Sequence, residues 1–314
     1  MAHRIDSTNS NAGTTRGLLY ALGAVLIWSG FILVSRAGAL ASLAMTDMLA
    51  VRFGTALVLL APLVWIKRRA LFNGRILVLG LIGGLGYGAF VYAGFERAPA
   101  THAALLLPGL MPVMIALMAY LFAAERKPGM VWLGIAVSSL GIGVLLLNTL
   151  LESTRFWLGD LCFVLACFFW AIYTVLLRAW KVPAWTATVG VVMVAGGLYL
   201  PLYLGLFYQG FSEQSWALIL GQGFYQGVLA TIVQMLLYVR AVQLLGATRM
   251  GALMALVPVL AGGLAVPLFG EALSPILMLS IGLVILGSVV GNLPQGWVTL
   301  PGWCRLLRFG VQAG

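Results

Sequence analysis

The chain has 314 residues, of which 62% are hydrophobic and only 8% are charged, and its formal net charge is +10. A soluble domain of this length cannot bury so much apolar surface, and the long apolar stretches predict membrane helices rather than a barrel of alternating strands. The positive charge is typical of basic loops at a cytoplasmic membrane surface and gives no reason to expect a nucleic-acid partner.

Ten apolar spans are predicted in chain order, joined by short connections with no inserted soluble domain. From span one to span ten they cover residues 17–36, 44–66, 76–95, 102–122, 130–150, 157–177, 185–207, 216–240, 248–269 and 275–292. Glycines repeat every fourth residue in spans three and ten, and such faces let helices approach closely.

The two halves of the chain repeat each other. Three residues of span one recur in span six at one constant offset, and four residues of spans three to five recur in spans eight to ten at a second offset. The pairs are Gly17/Gly159, Trp28/Trp170, Arg36/Arg178, Tyr92/Tyr238, Pro112/Pro258, Glu125/Glu271 and Gly141/Gly287.

Each half holds five spans, and because five is odd the halves are expected to cross the membrane in opposite directions. The fold class is therefore predicted as an all-α integral membrane protein with ten transmembrane helices in two inverted five-helix repeats. The predicted units are a cytoplasmic polar tail at 1–16, repeats at 17–151 and 152–292, and a cytoplasmic amphipathic tail at 293–314. Inverted repeats of this kind are typical of secondary transporters.

The distribution of basic residues predicts the orientation. With the N-terminus in the cytoplasm, fourteen of the 18 Lys and Arg residues lie on the inner side. Three lie outside, namely Arg36, Arg97 and Arg155, and Arg52 lies within span two. This bias predicts a multi-pass protein of the inner cell membrane with both termini in the cytoplasm.

The chain resembles EamA-type members of the drug/metabolite transporter superfamily over nearly its whole length. The resemblance is carried by Trp28 with Arg36, by the pair Arg52-Phe53, by the stretch from Ala103 through Pro112 to Glu125, and by the matching stretch from Gly251 through Pro258 to Glu271. It implies a basket of two interlocked repeats and a central cavity lined mainly by spans three, four, eight and nine. Members of the family move small metabolites, often amino acids, usually outward. One departure is that Arg52 has no basic counterpart in span seven.

Two prolines interrupt spans four and nine. Pro112 and Pro258 free the carbonyls of Pro108 and Met254, which in a membrane need a partner. Two interpretations fit this pattern. Each proline either kinks a helix that lines the cavity and coordinates a substrate ammonium, or makes a packing kink without ligand contact.

Amides, phenols and one indole at membrane depth are expected to face protein or water rather than lipid. Gln222 and Gln226 lie on one helix face. Such residues either bond to a neighbouring helix or line a cavity with weak neutral hydrogen bonds. The expected cavity residues, with the two prolines, are Trp28, Tyr87, Tyr92, Pro112, Gln226, Gln234, Tyr238 and Pro258.

The charged residues at span ends are interpreted as structural anchors, because snorkelling and helix capping explain them without a substrate. These anchors are Arg36, Arg52, Glu125, Arg178 and Glu271. Asp47 is close enough along the chain to pair with Arg52, and Arg52 is also able to attract a carboxylate.

His102, with Glu96 near it in the chain, is a candidate for proton coupling. The alternative is that His102 is an interfacial residue without such a role.

The predicted function is a secondary transporter that exports small metabolites, with amino acids or related zwitterionic and amphipathic compounds as substrates, by alternating access. A transporter of nucleotide sugars or phosphate metabolites is the alternative, although it would call for more deep cations than Arg52. An intramembrane enzyme is disfavoured because the catalytic and zinc motifs are missing, and a channel because channels are usually built as symmetric rings. No cofactor or metal is expected; the partners are the bilayer, a small molecule and, if transport is coupled, protons. The oligomeric state stays open.

Overall fold

The computed structural model of the protein describes residues 3–123, 129–152, 155–208, 215–245, 250, 253–254 and 256–291. Within these ranges the chain is helical apart from short connections, and none of their residues lies in a strand. The helices in this part of the chain are numbered α1 to α10. They are α1 His3–Leu40, α2 Met45–Leu71, α3 Gly74–Arg97, α4 Ala100–Ala123, α5 Gly129–Glu152, α6 Trp157–Ala179, α7 Ala184–Phe207, α8 216–245, α9 Leu256–Phe269 and α10 Pro275–Gly291.

Eight of these helices, α1 to α8, are long and apolar enough to cross a membrane, and α9 and α10 are shorter apolar helices. The predicted helical membrane protein is therefore confirmed, while the exact number of crossings and the inversion of the halves stay predictions. The first helix begins earlier than predicted, because α1 starts at His3 within the segment assigned to the polar tail.

The outer surface of the bundle is apolar. Val58 and Ile66 in α2 are each 74% exposed, and Leu220 in α8 is 69% exposed. Large apolar side chains left uncovered by protein at this density are expected of helices that face lipid hydrocarbon.

Small residues set the closest helix contacts. A Cβ added to Gly134 of α5 would lie 2.5 Å from the carbonyl oxygen of Gly287 and from the backbone of Gly291, both in α10. In α3, a Cβ at Gly84 would lie 2.9 Å from the Cβ of Ala195 in α7. The predicted close approach along the glycine faces of spans three and ten is thus confirmed, because only hydrogen fits between these backbones.

Two matching stretches of the repeats depart from α-helical geometry. The backbone is π-helical over Gly80–Gly86 in α3 and over Gly223–Val233 in α8, with a shorter π-helical end in α7. The offset between Tyr92 and Tyr238 is 146 residues, which carries 80–86 onto 226–232, inside the π-helical stretch of α8. Such widened turns often accompany functional sites, and in both helices the next turn carries the polar residues of the cavity described below.

Candidate functional site

A cavity lies in the middle of the bundle, where α1, α2, α3, α6 and α8 meet. Its volume is about 50 Å³. The cavity is therefore narrow, since one water molecule takes roughly 10–15 Å³ on the same measure. Its lining residues are Trp28, Phe31, Arg52, Tyr87, Trp170, Ala230 and Gln234.

The lining differs from the one that the family resemblance implied. Spans three and eight contribute Tyr87, Ala230 and Gln234, as expected, but the remaining lining residues come from spans one, two and six. None of the lining residues belongs to spans four or nine, so this part of the expectation is wrong for the cavity seen here. Parts of α4 and α9 lie in the main apolar core, where Leu106 and Val257 are fully buried, and Trp28 and Trp170 pack against that core.

Aromatic rings form most of the cavity wall. The ring centroids of Tyr87 and Trp170 are 4.9 Å apart, with an angle of 52° between their planes. Trp28 and Trp170 are repeat partners, so each half of the chain contributes one indole to the same wall. Such a surface offers large apolar area and π faces to a bound molecule.

Among the described residues that line the cavity, Arg52 alone is charged. Its Nε donates to Thr231 Oγ1 at 3.1 Å and its Nη1 donates to the Tyr92 hydroxyl at 3.4 Å. The guanidinium carbon also lies 5.4 Å from the centre of the Phe31 ring.

The predicted ion pair between Arg52 and Asp47 is wrong. Asp47 instead accepts a hydrogen bond from the Tyr203 hydroxyl at 2.7 Å, and Arg52 turns towards α3 and α8. Residues five apart on a helix point in different directions, whereas those three or four apart share a face.

A chain of neutral hydrogen bonds lies next to Arg52. The Tyr92 hydroxyl donates to Gln226 Oε1 at 3.0 Å, and Gln226 Nε2 donates to Ser35 Oγ at 2.9 Å and to Gln222 Oε1 at 3.3 Å. Gln222 Nε2 then donates to the carbonyl of Val34 at 2.8 Å. Tyr92 and Gln226 are fully buried, so these two predicted cavity residues support the wall from behind rather than line it.

Three further predicted cavity residues lie elsewhere. Tyr238 packs against a separate apolar cluster that includes Ala21 of α1 and Ala241 of α8. Pro258 is buried in α9, and Pro112 is exposed in α4. None of the three is among the lining residues, so the structure gives their predicted ligand contacts no support.

The interpretation of Glu271 as a structural anchor corresponds to a definite set of contacts. Its carboxylate accepts hydrogen bonds from the backbone N–H groups of Ala100 at 2.8 Å and Thr101 at 2.9 Å, at the start of α4. Arg36 lies 3.3 Å from the same carboxylate and also donates to the carbonyl of Phe95 at 2.8 Å. These contacts tie the ends of α1, α3 and α9 to the start of α4, where the helix dipole favours a negative charge.

The other two predicted anchors are Arg178 and Glu125. Arg178 lies exposed in the last turn of α6. Glu125 lies outside the described residues.

His102 has an acidic partner, but it is not Glu96. His102 Nδ1 lies 2.9 Å from Asp160 Oδ1, and the Asp160 side chain is only 2% exposed. Glu96 accepts from the backbone N–H of Met45 at 2.6 Å and pairs with Arg97 at 2.9 Å. The sequence interpretation that placed Glu96 beside His102 is therefore wrong, because Glu96, in the last turn of α3, bonds to the start of α2 instead.

Several site residues were not found from the sequence. Phe31, Ser35 and Thr231 gave no signal, because single aromatic or hydroxyl side chains are common in membrane helices. Asp160 did give one, since a carboxylate in the first turn of an apolar span is rare. In the described part of the chain, no three His, Cys, Asp or Glu residues come together as a metal site would require.

Comparisons with known proteins concern the family of the sequence and its fold. The sequence model of the EamA-like transporter family matches residues 15–147 and again residues 157–293. A solved structure described as "Crystal structure of protein" is similar in fold, with a TM-score of 0.60 and 19% identity, over 89% of this chain and 95% of that one. At that identity the likeness concerns the fold alone. No curated protein matches the chain.

Proposed function

Because the chain belongs to the EamA-like transporter family, we propose that it is a secondary transporter that exports small metabolites through the central cavity by alternating access. The observation that carries the proposal is the cavity itself. It lies inside a bundle of apolar helices, beside the two matching π-helical stretches, and its wall combines aromatic rings with one cation and one amide. Intramembrane polar groups around a cavity are typical of a solute pathway.

The proposed substrates are amino acids or related zwitterionic and amphipathic compounds. The aromatic wall suits an apolar body, and Gln234 and Arg52 suit a small number of polar groups. A nucleotide sugar or another phosphate-bearing metabolite has less support, because binding a phosphate normally takes several Lys or Arg residues, and the described lining holds Arg52 alone. An intramembrane enzyme has less support still, because the same described lining residues offer no nucleophile beside a base.

The proposal includes an orientation and a division of the chain. The repeats 17–151 and 152–292 lie inverted in the inner cell membrane with both termini in the cytoplasm, in agreement with the distribution of Lys and Arg. The sequence model of the family, which matches each half separately, supports two homologous units.

Transport in reconstituted vesicles tests the function. The purified full chain is placed in proteoliposomes, and uptake of labelled compounds is measured across a panel of amino acids, amphipathic acids and amphipathic amines. We expect saturable flux of at least one compound class, with counterflow when the same compound is present on the other side. No flux above empty vesicles for the whole panel would contradict the proposal.

Proton coupling is tested in the same vesicles with an imposed pH gradient. We propose His102 as the proton carrier, because its close contact with the buried Asp160 suits proton exchange between them. His102→Gln should then remove the effect of the gradient while flux down a substrate gradient remains. If Glu96→Gln removes it instead, Glu96 is the carrier; if the wild type does not respond to the gradient, transport is facilitated diffusion.

A further inference from the structure

Arg52 is a positive charge without a counterion among the residues that the structure describes. Arg52 takes part in no ion pair within 4.0 Å among these residues; the pairs present there include Arg36–Glu271, Glu96–Arg97 and His102–Asp160. The nearest acidic residue along α2, Asp47, is engaged by Tyr203. An uncompensated charge inside a membrane span is costly and usually marks a functional position.

The neighbours of Arg52 hold it in place without neutralising it. The Thr231 hydroxyl donates to the carbonyl of Gln226 at 2.7 Å, and the Tyr92 hydroxyl donates to Gln226 Oε1 at 3.0 Å. Both hydroxyl hydrogens are thereby used, so each oxygen presents a lone pair to Arg52. These two bonds occupy two of the five N–H donors of the guanidinium. The remaining donors are available to a ligand in the cavity that Arg52 lines.

The rest of the lining specifies what kind of ligand fits. Trp28, Tyr87 and Trp170 provide aromatic faces, and Gln234 provides a neutral amide. None of the lining residues that the structure describes is acidic, so among them a substrate ammonium would meet only π faces and amide or hydroxyl oxygens. One fixed cation within aromatic walls matches one negative charge on an apolar body.

We propose that Arg52 binds the carboxylate of the transported compound, and that the cavity selects monocarboxylates with an apolar or aromatic body. The planar guanidinium fork matches a carboxylate through two parallel hydrogen bonds, which a lysine ammonium does not reproduce. The proposal rests on the proposed transport function and narrows its substrate class: the carboxylate is the required group, and an ammonium is not.

The test compares an acid with its neutral isostere. Binding of 3-phenylpropanoate and of 3-phenylpropanamide to the purified full chain in detergent is measured by equilibrium dialysis, for wild type, Arg52→Gln and Arg52→Lys. Charge-assisted hydrogen bonds of about 1.5–3 kcal/mol predict that Arg52→Gln weakens binding of the acid by at least about tenfold. Binding of the amide should be weak in the wild type and unchanged in the variant. Arg52→Lys should recover only part of the affinity for the acid.

A matched control removes a positive charge elsewhere on the same helix. Arg68 is exposed and stacks on Trp65, away from the cavity, so Arg68→Gln should leave the affinities for both compounds unchanged. Monodisperse elution and an unaltered helical circular dichroism spectrum show that each variant is folded. If Arg52→Gln fails to fold, two other measurements test the proposal. They are the affinities of the wild type for the acid and the amide, and the affinity of Arg52→Lys for the acid.

The outcomes separate this inference from the proposed function. A wild type that binds acid and amide equally, or an Arg52→Gln variant that loses both or neither, overturns the carboxylate site even if vesicles show transport. Arg52-dependent binding of the acid without flux of any compound supports the site and contradicts the transport function.

Discussion

Two carboxylates in this protein stabilise the start of a helix to which they do not belong. Glu271 accepts the first free N–H groups of α4, and Glu96 accepts the N–H of Met45 at the start of α2. The first N–H groups of a helix have no partner within it, and they attract negative charge. The two sites differ in burial, because the side chain of Glu271 is 8% exposed and that of Glu96 is 27% exposed.

This difference predicts unequal effects of two identical substitutions. Glu271→Gln keeps one acceptor oxygen but removes the charge that Arg36 and the start of α4 share, and we expect a loss of about 2 kcal/mol. Glu96→Gln, at the more exposed site, should cost about 1 kcal/mol or less. The check is the thermal unfolding midpoint of each purified variant in the same detergent. If the unfolding midpoints of Glu271→Gln and Glu96→Gln were equal, burial of the carboxylate would not determine how strongly it stabilises the start of the helix.

Residue by residue, the sequence predicted shared helix faces better than hydrogen-bond partners. Gln222 and Gln226 were predicted to lie on one helix face, and they bond to each other at 3.3 Å. The pair Asp47 and Arg52, five residues apart, was predicted wrongly, and the partner of His102 was not predicted, because Asp160 is 58 residues away along the chain. Composition identifies each of these as an unusual polar group in an apolar span, but only the packing of α4 against α6 brings the imidazole to the carboxylate.

At the level of elements, the contact between α5 and α10 is made by backbone against backbone. A Cβ at Gly287 would lie 2.5 Å from the carbonyl oxygen of Gly134 and from the amide nitrogen of Ser138. Gly282, five residues earlier in the same helix, has no atom within 4 Å of a Cβ built there. Gly287 therefore serves as the test position and Gly282 as its control for the same glycine-to-alanine substitution.

We expect Gly287→Ala to force α5 and α10 apart and to lower stability by about 1–3 kcal/mol. Gly282→Ala should be neutral or slightly stabilising, because alanine is the better helix former by about 1 kcal/mol. Thermal unfolding of the two variants in one detergent provides the measurement. Equal unfolding midpoints for both variants would mean that α5 and α10 accommodate the added methyl group without loss of stability.

The limits of the helices were largely predictable, while their internal geometry was not. Apolar length and the basic residues at its ends located most helix limits to within a few residues, as for α6 at Trp157–Ala179 against the predicted 157–177. The π-helical stretch of α8, Gly223–Val233, has no distinct sequence signal. It depends on how Gly223 and Gly227 pack against Thr55 of α2, which is a property of the assembled bundle.

At the level of the whole molecule, the proposed inversion is open to a direct test. Lys67 follows span two and Ser215 precedes span eight, so the two are at equivalent connections of the two halves. In the proposed topology Lys67 faces the cytoplasm and Ser215 faces outward. Single cysteines, Lys67→Cys or Ser215→Cys, are introduced after replacing the three native cysteines.

We expect a membrane-impermeant maleimide added to intact cells to label only the Ser215→Cys variant, and to label both variants after permeabilisation. Ala41→Cys, in the exposed connection after α1, serves as an outward-facing control. Labelling of both Lys67→Cys and Ser215→Cys in intact cells, or of neither, would rule out inverted halves.

The sequence by itself determined that this chain is a helical membrane protein of two homologous halves, because apolar length, loop charge and the spacing of repeated residues are properties of the linear chain. Only the tertiary structure decided which residues form the cavity. It placed Phe31 and Trp170 in the wall, left Pro112 and Tyr238 out of it, and showed that Arg52 has no acidic partner among the described residues. The reason is that the direction of a side chain depends on helix rotation and on contacts between helices far apart in sequence, and neither quantity is encoded in local periodicity.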